Sequence, residues 1–208
     1  MRKFLVSLLL AGCSLSAMAG ALDDLQAFLK NTSSAAGTFS QKVLTEKGED
    51  ASGAGQGEFK FLRPGCFSWH YDAPFEELMM SDGKTLWLYD VEMAQVTVKT
   101  LTQALPATPA SILFGNNNFS KDFAVKELPD SEGMHWLLAT PKDDNSPFSE
   151  VRIAFKNQLP ARMILKDNFG QQTILAFSNV KKNPKFKKTD FTFKTPKGVD
   201  VLEDRSGL

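Results

Sequence analysis

Leu78-Met79-Met80-Ser81-Asp82-Gly83-Lys84-Thr85-Leu86-Trp87-Leu88-Tyr89 reads as a β-hairpin, and much of the chain repeats its grammar. Asp-Gly between two apolar runs supplies the backbone freedom that tight hairpin turns demand. Upstream, Phe59 and Phe61 recur with period two in Gly57 to Arg63, and Phe67, Trp69 and Tyr71 line one face of the next strand. Downstream, strand patterns fall at 93–99, 122–128, 133–140, 148–156, 160–167 and 171–179. Turn residues separate them at Asp130 to Gly133, Asn157 to Pro160 and Asp167 to Gly170. With candidates at 37–45 and 54–63, about eleven consecutive strands result, mostly hairpin-linked. The fold class is mainly β: one antiparallel meander in a single domain.

Several strands are apolar on both faces. Leu86 and Leu88 point one way and Trp87 and Tyr89 the other; Ile174 and Ala176 oppose Leu175 and Phe177. A half-buried antiparallel strand alternates apolar with polar. Two architectures accommodate doubled faces: a sandwich or covered sheet, and a curved sheet wrapped around an apolar cavity. Periodicity leaves both open. Phenylalanine sharpens the question, because 17 Phe against 2 Tyr and 3 Trp is much apolar area without polar handles.

Two segments depart from the strand pattern. Ala21 to Asn31 reads as an amphipathic helix with Leu22, Leu25, Phe28 and Leu29 on one face, Asp23 and Asp24 in its first turn and Lys30 in its last. At 100–115, Thr100 and Gln103 fit a capping box, with Leu101 and Leu105 stacking one turn apart until Pro106. Thr108 and Pro109 then start a second short helix that Gly115 closes, carrying Ile112, Leu113 and Phe114. Helices this short persist only by packing on something else. They suit either a lid or a plain crossover connection.

The chain of 208 residues carries 24 Lys plus Arg against 24 Asp plus Glu, so no general attraction to nucleic acid is expected. Two Cys and two His leave most metal sites and thiol chemistry without raw material. His70 and His135 sit in strand patterns without metal-ligand spacing, and no Gly-x-Ser-x-Gly elbow occurs. Gly53-Ala54-Gly55-Gln56-Gly57 leads into a strand rather than a helix, which suits a bend or a close backbone contact better than a phosphate cradle. Asp143-Asp144-Asn145 reads as a solvated turn. Neither catalytic residues nor a cofactor are expected. Lys181, Lys182, Lys185, Lys187 and Lys188 form one cationic cluster, an exposed face or a docking point for an acidic partner.

Residues 1–19 read as a secretory signal peptide. Arg2 and Lys3 precede the apolar run Phe4 to Ala11, and Ala17-Met18-Ala19 offers a small-x-small cleavage site. Cleavage there leaves 20–208 as one domain with Cys66 as its single cysteine. Leu10-Ala11-Gly12-Cys13 also resembles a lipobox; its use would tether the protein through a lipidated Cys13.

Five stretches in order resemble the outer-membrane lipoprotein carrier family of the Gram-negative periplasm. They are Gly37-Thr38-Phe39-Ser40-Gln41-Lys42, Arg63-Pro64-Gly65-Cys66-Phe67-Ser68-Trp69, Ser81-Asp82-Gly83-Lys84-Thr85-Leu86-Trp87, Asp167-Asn168-Phe169-Gly170-Gln171 and Pro196-Lys197-Gly198-Val199-Asp200. The resemblance implies an unclosed antiparallel β-barrel of about eleven strands, its apolar concave cavity covered by short α-helices. It implies a non-enzymatic periplasmic carrier; oligomeric state is left open by the sequence, although one-to-one handover favours a monomer. Such a carrier takes acylated lipoproteins from an inner-membrane lipoprotein-releasing ABC transporter and passes them to an outer-membrane receptor lipoprotein. Arg63 matches the family arginine that bonds lid backbone, Phe67 and Trp69 match aromatic interior positions, and the lid falls on 100–115. Phe59, Phe61, Met79, Leu86, Leu88, Leu101, Leu105, Ile112, Leu113 and Phe114 complete the expected cavity and lid. Two alternatives remain: the membrane-anchored receptor of the same fold, should Cys13 be lipidated, and a periplasmic enzyme acting on lipid or acyl groups.

Overall fold

The computed structural model describes residues 20–72, 74–101 and 119–203. Helix α1 (Ala21–Asn31) leads into β1 (Ser34–Leu44), β2 (Gly55–Leu62), β3 (Cys66–Tyr71), β4 (Glu77–Asp82), β5 (Thr85–Asp90) and β6 (Gln95–Thr100). A short helix α2 (Phe119–Asp122) then precedes β7 (Phe123–Ser131), β8 (Met134–Pro141), β9 (Phe148–Lys156), β10 (Leu159–Asp167) and β11 (Gln172–Lys182). A 3-10 turn, Lys188–Phe191, and β12 (Asp200–Glu203) close the described chain.

All twelve strands belong to one sheet ordered β12-β6-β5-β4-β3-β2-β1-β11-β10-β9-β8-β7. β1 pairs on both sides, with β2 and with β11, so the two hairpin runs meet at the centre. Among the described residues β7 and β12 lie at the two ends of this order, and the barrel is unclosed. Gly37 interrupts the β1–β11 register, where a Cβ would stand 2.9 Å from both the Phe59 ring and the Ser178 carbonyl oxygen. Only glycine lets the strand cross under that ring.

About eleven strands were expected and twelve are present among the described residues; beside the antiparallel pairs, β12 runs parallel to β6, Val201 opposite Val96. Four residues lying at an edge carry no period-two signal, since β12 is exposed along its whole length. α2 occupies 119–122, where the strand was expected to open at 122.

The apolar concave face gathers Phe39, Phe59, Phe61, Phe67, Trp69, Leu86, Ile153, Phe155, Leu175 and Phe177 in one buried cluster. α1 closes one end of it. Phe28 enters from the helix, its ring 6.4 Å from that of Phe61 and 6.5 Å from that of Phe155. On the outer face of β5, Trp87 and Tyr89 meet Phe193 at 6.1 and 5.6 Å, while Phe191, fully buried, meets Phe186 edge-on. The doubled face of β5 therefore has a plain cause: the C-terminal segment covers its outer side. Among the described residues no helix is long and apolar enough to cross a membrane.

Candidate functional site

Period-two alternation in β1, β2, β3 and β11 turns their aromatic rings to the same side of the sheet. Trp69 lies at the centre of that layer. Its ring stacks on Phe39 at 4.1 Å and 29°, lies 5.9 Å from Phe59, and meets Phe177 edge-on at 6.3 Å. Tyr71 ends the layer, edge-on to Phe39 at 5.0 Å, and its hydroxyl donates to Gln41 Oε1 at 2.9 Å. Burial pushes the Tyr71 phenol above its ordinary value. Such a surface asks for no hydrogen bonds from whatever lies against it.

The structure brings Phe59, Phe61, Phe67, Trp69 and Leu86 together in the buried interior, with Met79 and Leu88 half-buried against them. Leu101 is buried beside the same cluster, its N–H donating to the Lys84 carbonyl at 2.8 Å. Leu105, Ile112, Leu113 and Phe114 lie outside the described residues, as do residues 1–19.

Arg63 leaves the end of β2 and turns its guanidinium onto the rings of Phe61, at 5.1 Å, and Phe28, at 5.8 Å. Its Nε donates to the carbonyl oxygen of Thr32, which caps the C-terminus of α1, at 3.0 Å. Burial lowers its pKa to about 10, which still leaves it a cation at neutral pH. The arginine thus ties strand, helix end and aromatic interior together, by a charge-assisted bond and two ring contacts.

Beside α1, between it, α2 and β7, lies a cavity of about 410 Å³ lined by Leu22, Leu25, Leu29, Phe119 and Val125, with Gln26, Lys30 and Ser120 at its polar parts. Leu25 and Phe119 belong to the interior cluster, so the cavity adjoins it. Its size falls in the ~300–1,000 Å³ range of small-ligand pockets. The amphipathic face of α1 was legible in the sequence; that it would line an opening was not. A larger hollow of about 590 Å³ lies on the opposite, outer face, among Lys60, His70, Met80, Lys181 and Phe186. Its lining is of mixed polarity and shares Phe59 with the aromatic interior.

Two contacts went unread in the sequence. Asp24, buried in α1, stands 2.8 Å from Nδ1 of His135 in β8. Cys66 is a buried free thiol whose Sγ donates to the Asp82 carbonyl at 3.2 Å, and burial raises its pKa. Among the described residues no group of three or more His, Cys, Asp or Glu could hold a metal ion.

These features define a class: unclosed β-barrels whose concave face is a largely apolar, aromatic interior with a helix across one end. The chain belongs to the outer-membrane lipoprotein carrier family, whose model, described as outer membrane lipoprotein carrier protein LolA, matches residues 30–194. It is 42% identical over 190 residues to the outer-membrane lipoprotein carrier protein of Cupriavidus pinatubonensis, covering 90% of each chain. The carrier protein so named from Bordetella avium is 42% identical over 198 residues, covering 95% of this chain and 94% of the relative. The fold is shared with a LolA superfamily protein of Nitrosomonas europaea, at a TM-score of 0.52 and 15% identity, over 83% of this chain and 96% of that one. An uncharacterized conserved protein of Thermus thermophilus superposes at a TM-score of 0.55 with 13% identity, over 88% and 96% of the two chains.

Proposed function

We propose that this protein is a non-enzymatic carrier that shields the acyl chains of lipoproteins while they cross the periplasm. It receives them from an inner-membrane ABC transporter and gives them to an outer-membrane receptor lipoprotein. The observation that carries the reading is the continuous aromatic layer Phe39–Trp69–Phe59–Phe177 on the concave face. Returning hydrocarbon to water costs ~0.8 kcal/mol per CH₂, so a fatty tail cannot cross an aqueous compartment bare. An interior without polar demands accepts many tails, and weak directionality lets it give them up.

Arg63 is the latch in this reading. It holds the 100–115 cover shut through that segment's backbone, and its bond to Thr32 and its cation over Phe28 and Phe61 also hold α1 against the interior, at ~1.5–3 kcal/mol for a charge-assisted hydrogen bond. That size holds a closed state reversibly. Leu101, Leu105, Ile112, Leu113 and Phe114 form the apolar side of a cover over the same interior. Residues 1–19 direct export and are removed, leaving 20–208 as a periplasmic monomer.

The deciding experiment is mass spectrometry of the protein recovered from its own periplasm. A free Gly20 N-terminus and a co-purified acylated lipoprotein are expected. A lipidated Cys13 would make it the anchored receptor instead, and recovery without any acylated cargo would remove the reading.

A further inference from the structure

We infer that one end of the barrel is a docking face for a partner protein surface that is apolar at its centre and basic at its rim. The inference rests on the carrier reading, which requires the protein to engage membrane-side partners. The six exposed large hydrophobic side chains among the described residues are distributed unevenly. Leu22 is on α1. Phe75, Met93 and Phe169, at 73%, 69% and 87% exposure, sit on the β3–β4, β5–β6 and β10–β11 connections, and Val201 and Leu202 on β12.

The strand register puts the three loop residues at the same end, from which β12 runs into the sheet. Tyr71 pairs with Glu77, Asp90 with Gln95, and Leu44 with Gln172, so the three connections and the β1–β2 loop leave the sheet together. Asp200 begins β12 opposite Gln95, at that end too. Neighbouring loops touch. Val91 N–H donates to the Glu76 carbonyl at 3.2 Å, Gly170 lies against the Glu46 side chain, and Asn168 Nδ2 donates to the Ser146 carbonyl at 2.9 Å. The result is a continuous rim.

Two of the tips are held in place. Asp167 Oδ1 accepts from the backbone N–H of Phe169 at 2.9 Å and of Gln171 at 2.8 Å, and Asp90 Oδ1 accepts from that of Met93 at 2.9 Å. A large apolar side chain on a fixed turn costs little further ordering on association. Exposed apolar clusters of this kind mark contact surfaces, and aromatic anchors carry most of their affinity.

Charge selects the partner. Segments 45–54, 72–76, 90–94 and 142–147 contain nine Asp and Glu against two Lys. At the other end of the strands, Arg63, Lys84 and the lysines of 181–188 dominate. Apolar tips alone would suit insertion into a bilayer, but a ring of carboxylates is repelled by anionic headgroups. A protein surface with Lys or Arg around an apolar depression satisfies both features, and it would be met faster at low ionic strength.

The test is lipoprotein transfer by the Phe75→Ser/Met93→Ser/Phe169→Ser variant, from transporter-containing inner-membrane vesicles and onto receptor-containing outer-membrane vesicles. Fluorescent fatty-acid binding and melting temperature should match the wild type, because none of the three side chains faces the interior. At least one transfer step should fall about tenfold, and the wild-type rate of that step should drop on raising salt to about 0.5 M. The charge variant Glu46→Lys/Glu49→Lys, on an exposed loop, should slow the same step and lose its salt dependence. Unchanged transfer by both variants would overturn the docking face while leaving the carrier function intact; a wild type that binds no acyl chain would strike the carrier reading instead. Sedimentation of the wild type, but not the serine variant, with protein-free phosphatidylglycerol vesicles would also overturn it, in favour of membrane insertion.

Discussion

Asp24 Oδ2 and His135 Nδ1 meet at 2.8 Å, joining the first turn of α1 to β8 across 111 residues of chain. The carboxylate is almost fully enclosed, so the imidazole is what satisfies it. Chiefly through that hydrogen bond, and with Asp130 and Glu127 adding negative charge against partial burial, the His135 pKa is raised above its ordinary 6.5. A raised native-state value stabilises the fold fully below the unfolded-state value and loses that contribution as pH climbs through the raised one. Comparing His135→Gln with the wild type, the gap in melting temperature should be widest near about pH 5.5 and narrow towards about pH 9. A gap of constant size across that range would show that the pair does not titrate as argued.

Trp69 offers a reporter for the interior, because the other two tryptophans face outward. Trp87 stacks on Phe193, and the Trp136 indole donates to the Ser131 carbonyl at 3.2 Å on the outer side of β8. In the Trp87→Phe/Trp136→Phe variant, titration with palmitate should change the intensity and wavelength of the remaining emission. Trp69→Phe, with the two outward tryptophans intact, should stay spectrally silent while still binding. Emission changes in the second protein and none in the first would place the fatty tail on the outer face.

Much of this architecture was legible because burial on a sheet writes itself in steps of two. Phe59 and Phe61, then Phe67 and Trp69, needed only their spacing to be assigned to one face, and α1 occupies the Ala21–Asn31 span expected of it. What stayed hidden depends on distant chain returning. Trp87 and Tyr89 left the choice between covered sheet and cavity open, because Phe193 arrives from the far C-terminal segment. Asp24 read as a helix-dipole residue, and nothing local announces His135. β12 gave no periodic signal, since an exposed four-residue edge strand has no face to bury.

Arg63→Leu tests the latch. Leucine keeps apolar contact with Phe28 and Phe61 but removes the donor to Thr32. The fold should survive, since no buried charge is left behind. Hydrogen exchange should quicken in the last turn of α1 and across 100–115, and cargo transfer should fall by about tenfold or more. Arg63→Lys should rescue only in part, because a compact ammonium reproduces neither the planar ring contact nor the Nε geometry. Wild-type exchange together with wild-type transfer in Arg63→Leu would dispose of the latch.

Phe191 tests whether the C-terminal cover is structural. It is completely buried on the outer side of the sheet, edge-on to Phe186, and Lys60 Nζ sits 5.3 Å above its ring while donating to the Asp190 carbonyl. Phe191→Ala should cost ~3–5 kcal/mol in urea unfolding, the range for deleting a buried aromatic ring. The same loss should loosen the path that brings Phe193 over Trp87 and Tyr89 and delivers β12 to β6. Hydrogen exchange at Asp200–Glu203 should therefore rise along with that at β6, whereas α1 and the β8–β9 pair keep wild-type protection. Protection lost first at α1 would mean that the C-terminal segment supports the concave interior rather than the outer face.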